Sequence, residues 1–405
     1  MSFLDKKKRY VCGNSNDPTK AAALAILTVA LLLMATMMSP ALGRLVQSAA
    51  AVELTAATDA DDDDDGDNRS GTSGDNEDNN NNSELKQYAL QRINEDRAKF
   101  GIAPVSMGDN MAAQVHAKDV LKTRMISHWT TDGEKPYMTY SRLGGEGAVA
   151  QNVATSGYPQ DYDGCVSGTL LCEKTDPRKA IDQVEYNMMD KDKECCDDGH
   201  RNNILDKHHT HVSIGIAYDD YFFVMVQNFE DKYTVWTHRI SEEQEETDAN
   251  NNDDDDSDDN SGQQQQMEMI TMSGSLVDNR GDSSTDNNND DGDGGLSLVN
   301  VQVYYDSLPT PEIYEQHRYD KSYGLGKLIA LVAEPAPEGT AYKQPDKFSI
   351  IEAQNWQAQG SEFDIAFSLQ ELSDTYGKGV YTIVMLAQNS EDEVLPTSET
   401  SVFVN

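Results

Sequence analysis

Gly199-His200-Arg201-Asn202-Asn203-Ile204-Leu205, running on through His208-His209-Thr210-His211 into Val212-Ser213-Ile214-Gly215-Ile216, is the stretch from which the rest of the chain is read. It sets four of the chain's eight histidines beside a loop-to-strand transition. Histidine is the side chain that most readily alternates between proton carrier and metal ligand near neutral pH, so chemistry is sought here first. Residues Val212 to Tyr218 alternate in polarity, and Tyr221 to Phe229 is strongly β-prone. Asp219-Asp220 between them predicts a hairpin.

Upstream, Leu85, Tyr88, Ala89, Ile93 and Phe100 recur at helical spacing, with Ser83 placed to cap the helix and Gly101 to stop it. A second helix, roughly Asn110 to Arg124, delivers Ser127-His128-Trp129 just beyond its C-terminal end. His116 on its apolar face reads as a core histidine rather than a ligand. Residues Arg178 to Met189 repeat the helical pattern through Ala180, Ile181, Val184 and Met188.

Around this block the composition changes sharply. The 405-residue chain carries 32 basic and 71 acidic residues, a net charge of -39 that argues against nucleic acid and anionic membrane surfaces as partners. Much of that charge lies in Asp/Asn runs too polar to fold, read as disordered acidic linkers at 44-82 and 241-265. Residues 1-20 are basic and read as a cytoplasmic tail. The apolar run Ala21 to Met38 within 21-43 is long enough to span a bilayer, which implies a single-pass membrane protein with an extracellular C-terminal region; a secreted protein with a cleaved signal is the rival reading. Cys165, Cys172, Cys195 and Cys196 then lie outside, where four cysteines form disulfides in any of three connectivities. Adjacent Cys195-Cys196 has the wrong spacing for a zinc knuckle.

Residues 266-405 show strand-like runs at Leu298 to Tyr305, Lys327 to Val332, Phe348 to Ala353, Phe363 to Leu369, Val380 to Gln388 and Ser398 to Val404, with Trp356 available for a core. This spacing predicts a β-sandwich, plausibly immunoglobulin-like, with Met267 to Leu276 as first strand and a disordered insertion over 277-295.

Several short motifs within 84-230 together resemble the CAP superfamily (cysteine-rich secretory, antigen 5 and pathogenesis-related proteins, also called SCP-like). They are Ile93-Asn94-x-x-Arg97, Ala113-x-x-His116-Ala117, Ser127-His128-Trp129, Gln151-Asn152-Val153-Ala154, the opening Gly199 to Leu205 stretch, Val212-x-Ile214-Gly215-Ile216 and Val226-Gln227-Asn228-Phe229. The resemblance implies an α+β chain: an α-β-α sandwich over 83-240, followed by the all-β sandwich. It also implies a cleft lined by two histidines and two acidic residues, which in some members holds a divalent cation such as zinc. His128 and His200 match the histidines. Gln151 stands at the first acidic position, where an amide keeps hydrogen bonds but supplies neither charge nor a base. Glu185 is nearest the second, although strict register points to Asn187. His208, His209 and His211 read as surface residues, and Ser127 has no evident general-base partner. No catalytic residue is assigned. The expected function is binding of an extracellular or cell-envelope ligand; the alternative is a metal-dependent hydrolase with Glu185 as ligand or base.

Overall fold

The computed structural model describes residues 9-12, 74-239, 269-278 and 295-405. The apolar run Ala21 to Met38, the linker 241-265 and residues 279-294 of the insertion lie outside these. Among the described residues no helix is long and apolar enough to cross a membrane.

The first module comprises β1 (Arg9–Cys12), α1 (Gly74–Lys99), β2 (Ser106–Met107), α2 (Ala112–Thr123), α3 (Pro136–Arg142), β3 (Ala148–Gly157), α4 (Tyr162–Val166), α5 (Pro177–Asp190), α6 (Asp192–Cys196), α7 (Gly199–Ile204), β4 (His211–Tyr218) and β5 (Phe222–Asp231). Helix α1 begins at Gly74, upstream of the Ser83 cap that the apolar pattern suggests. Antiparallel β4-β5-β3 form the sheet centre. One face packs on α1 and α5 through Leu85, Ile93, Ile181, Val184 and Met225. The other takes α2 through Ala113, Ala117, Val120, Val224 and Val226. With both faces covered, every residue of β5 is buried. This is the predicted α-β-α sandwich. A Cβ on Gly215 would meet the Ala113 carbonyl oxygen, so α2 lies on β4 at a separation only glycine allows.

The Asn94 and Arg97 motif has a physical account. Asn94 clasps Val105 from both ends of its amide, at 2.9 Å each way. Arg97 is fully buried. Its Nε donates to the Ala103 carbonyl at 2.7 Å, and one terminal nitrogen donates to the carbonyls of Ile204 and Asp206 at 2.8 and 2.9 Å. One side chain thereby joins the end of α1 to the loop that follows His200.

β1 pairs in parallel with β3.

The second module comprises β6 (Thr234–His238), β7 (Met269–Leu276), β8 (Ser297–Asp306), α8 (Pro311–His317), β9 (Ser322–Tyr323), β10 (Lys327–Ala333), β11 (Ser349–Glu352), β12 (Asn355–Gln359), β13 (Glu362–Ser368), α9 (Gln370–Tyr376), β14 (Gly379–Gln388) and β15 (Val394–Val404). Sheets ordered β11-β10-β8-β14-β15 and β12-β13-β7-β6 share a core that includes Met272, Val303, Ile365, Phe367 and Ile383. Strand β6 comes from within 83-240, so the sandwich begins before the acidic linker rather than after it. The parallel β10-β11 pair departs from an immunoglobulin arrangement, whose sheets are antiparallel.

Separate tethered modules follow from the linkers, but the two modules are docked. Asp306 receives Lys135 Nζ at 2.7 Å and the Tyr137 hydroxyl at 2.6 Å, with both partners of the ion pair largely buried. The Ser401 amide donates to Ser141 Oγ at 2.8 Å, and the Val149 amide donates to Glu399 at 3.3 Å. Gly133, at φ +89°, lets the backbone of Thr310 approach where any side chain would collide.

Arg97→Lys in the full chain should cost about 2–4 kcal/mol in chemical denaturation, since an ammonium cannot reproduce the fork and leaves buried carbonyls unpaired. Asp306→Ala should cost about 3 kcal/mol by stranding Lys135, and should split one unfolding transition into two in calorimetry.

Candidate functional site

His128 is built from α2 outward. His116, buried in that helix, bonds through Nε2 to the Ser127 carbonyl at 2.8 Å and fixes the loop. The Ser127 hydroxyl accepts the Trp129 amide at 3.0 Å, so it serves the turn and not a nucleophilic role. His128 is fully buried, with Nδ1 3.0 Å from Gln151 Oε1. Gln151 Nε2 in turn donates to Asn228 at 3.1 Å. An amide oxygen only accepts, so the network assigns the imidazole proton to Nδ1. From β9, in the C-terminal part of the chain, Tyr323 sets its ring edge-on to His128 at 4.7 Å, and its hydroxyl accepts the Gln151 backbone amide at 3.2 Å. Next to it the two modules border an open pocket of about 380 Å³, lined by Trp129, Lys135, Met138, Asp306, His317 and Tyr323 among others. Trp129 stacks on His317 there, with ring centres 5.2 Å apart.

His200 opens α7. Its Nδ1 lies 2.6 Å from Asp192 Oδ1, while Asp192 Oδ2 accepts the backbone amides of His200 and Arg201 at 2.7 and 3.1 Å. The carboxylate therefore caps the helix and orients the ring together. Asp197 and Asp198, at φ +52° and +65°, make the tight link that returns α7 against α6. Ligand atoms of Asp192, Cys196 and His200 lie within 4.8 Å of one another, and all three residues are buried. Burial, then the Asp192 charge, pushes the Cys196 thiol up to about 12. His200 Nε2 is buried and has no hydrogen-bond partner among the described residues.

The two histidines attach to β3 from opposite faces, because Gln151 and Asn152 are consecutive in a strand. Asn152 donates to the His200 carbonyl at 3.2 Å and to Gln227 at 3.1 Å. Gln227 donates to Glu185 at 2.8 Å. Glu185 is thus held by an amide on the helix face, while the acidic partner of His200 is Asp192. Burial, then repulsion from Asp96, raises the Glu185 carboxyl to about 8. The ion that the resemblance implies for a His128/His200 pair does not suit these donors. Gln151 is neutral, Glu185 holds its proton at pH 7, and the group that does assemble leaves out both His128 and Glu185.

Two readings of the residues are corrected. His209 is buried rather than on the surface, since Asp231 meets its Nδ1 at 2.5 Å and Phe229 stacks on its ring. His208 is partly buried between Asp206 and Glu393, and His211 partly buried beside Thr210. Cys165–Cys172 is a disulfide and Cys195 is disulfide-bonded, but Cys196 keeps its thiol. Neighbouring residues are 3.8 Å apart at Cα, shorter than the span of an ordinary disulfide. Asp192 was legible only as the first member of a four-residue spacing, Asp192, Cys196, His200.

Residues 90–229 match the model of the cysteine-rich secretory protein family, CAP. No curated protein matches the chain. Among solved structures, an extracellular protein containing an SCP domain from Bacillus anthracis str. Ames is similar at 18% identity and a TM-score of 0.24, over 36% of this chain and 40% of that one. This chain therefore spans less than half the length of that protein. Residues 90–229 are a CAP superfamily segment within a longer chain.

Proposed function

We propose that the chain is an extracellular protein that recognises a ligand in a cleft built jointly by its CAP segment and its C-terminal sandwich. The observation that carries this reading is Tyr323, contributed by the C-terminal part of the chain and seated on both His128 and the backbone of Gln151. The adjoining pocket mixes aromatic walls with a few oriented polar groups, as ligand sites do. The Cys165–Cys172 disulfide suits an oxidising compartment. The basic, then apolar N-terminal segment is the export element, retained as a membrane anchor or cleaved.

Recognition is favoured over hydrolysis because the polar floor beside His128 is made of amides bonded to one another, and an amide neither takes nor gives a proton at neutral pH. Glu185 lies on the opposite face of the strand, spent on Gln227.

In pull-down of cell-envelope extract by the purified full chain, His128→Ala and Tyr323→Ala should each weaken capture about tenfold, the scale of a lost central contact. Turnover of a captured component that His128→Ala abolishes would overturn the reading. Glu185 supplies a pH test. Its folded pKa lies above the unfolded value, so its cost to stability is absent below about pH 4.5, grows as the unfolded carboxyl ionises, and levels off above about pH 8. Glu185→Gln should raise stability at pH 7 by on the order of 2 kcal/mol and flatten the decline between those limits in denaturant titrations.

A further inference from the structure

We infer that the pocket beside Tyr323 takes a neutral saccharide unit, an inference that rests on the recognition role proposed above and names its ligand class. The charged groups lining the pocket are already matched to one another. Lys135 Nζ donates to Asp306 at 2.7 Å and to the Gly324 carbonyl at 3.0 Å, and Asp306 also accepts the Tyr137 hydroxyl. Asp320 accepts from His317 Nδ1 at 2.8 Å. With the carboxylates of Asp306 and Asp320 set against the single permanent cation of Lys135, the lining does not draw a phosphate or other anion. Each carboxylate also has a partner within the protein, so neither depends on a cationic ligand for one.

The polar groups that remain are neutral. Trp129 is 4% exposed, and its indole Nε1 is buried with no hydrogen-bond partner among the described residues. An indole nitrogen only donates, so an oxygen acceptor is what this wall lacks. With Nδ1 committed to Asp320, Nε2 of the neutral His317 ring is an acceptor. Gln316, Ser307 and Ser322 add an amide and two hydroxyls to the same lining, groups that both donate and accept. A saccharide hydroxyl does both as well, and a sugar ring carries its hydroxyls around an edge while its faces stay C–H, suited to walls such as Tyr323 and Met138. A purely apolar ligand leaves the Trp129 nitrogen unmatched, and an extended peptide pairs main chain with main chain, whereas the groups on offer here are side chains. The volume of about 380 Å³ falls at the small end of ligand sites, and the open side lets a longer glycan continue into solvent.

The test is calorimetric titration of the full chain with short neutral oligosaccharides of glucose, mannose, galactose and N-acetylglucosamine, beside a uronic-acid oligosaccharide and an uncharged peptide. At least one neutral saccharide should bind and the acidic saccharide and the peptide should not. Affinity should hold steady as ionic strength changes, since no ion pair forms with the ligand. Trp129→Phe, which keeps a ring and removes the N–H, and Gln316→Ala should each weaken binding about fivefold, the scale of one hydrogen bond. In the unmutated chain the saccharide should shield His317 from diethyl pyrocarbonate, a measurement that does not depend on any variant folding. Capture of an envelope component through His128 and Tyr323 with no binding of any neutral saccharide would overturn the saccharide assignment and leave the recognition role standing. Preferential binding of the acidic saccharide or the peptide, or modification of His317 at the same rate with and without saccharide, would overturn it too. If neither capture nor saccharide binding occurs, both fail.

Discussion

A guanidinium without water organises the CAP segment. Arg97 is fully buried and spends its donors on backbone carbonyls of two separate loops. Removing such a group from water is costly unless each donor finds an acceptor. The loop after His200 must therefore follow one path, because another would leave the charge unsatisfied. His209, whose carbonyl also faces Arg97, and its partner Asp231 extend that constraint to the end of β5. Placement of His200 thus depends less on its immediate neighbours than on a cation at the far end of α1.

The docking of the sandwich has a similar character. Asp306 neutralises Lys135 where neither is well hydrated, while Glu399 and Tyr323 meet backbone amides of β3 that this sheet edge leaves open to a partner. The C-terminal module supplies hydrogen bonds that the CAP segment lacks by itself, and the pocket exists because both are present.

Much of this was legible in the sequence. Apolar periodicity marks α2, α5, β4 and β5, and the short motifs identify the CAP segment, because a helix stripe or an alternating strand writes its burial directly into residue order. The start of α1 was not legible, since its first turns are Asp, Asn and Glu with no apolar stripe. Nor was the docking, because the ion pair of Lys135 with Asp306 joins residues far apart in the chain and neither is distinctive alone. At the site, His128 with Gln151 follows from the motifs, whereas Asp192 is one acid among 71 and no composition argument singles it out. The double cysteine read as two staples because residue order does not show which sulfur faces a histidine. His209 was misjudged because its burial depends on Asp231, 22 positions later.

Consecutive residues of β3 serve two unlike neighbourhoods, Gln151 one and Asn152 the other. A strand tolerates changes of side chain far better than changes of length, and a single inserted or deleted residue here would turn each amide toward the wrong histidine. Over evolutionary time the two neighbourhoods can diverge in chemistry independently, residue by residue. Their spacing along the strand cannot drift, which makes β3, with Gln227 and Asn228 of β5 beside it, a ruler shared by two sites.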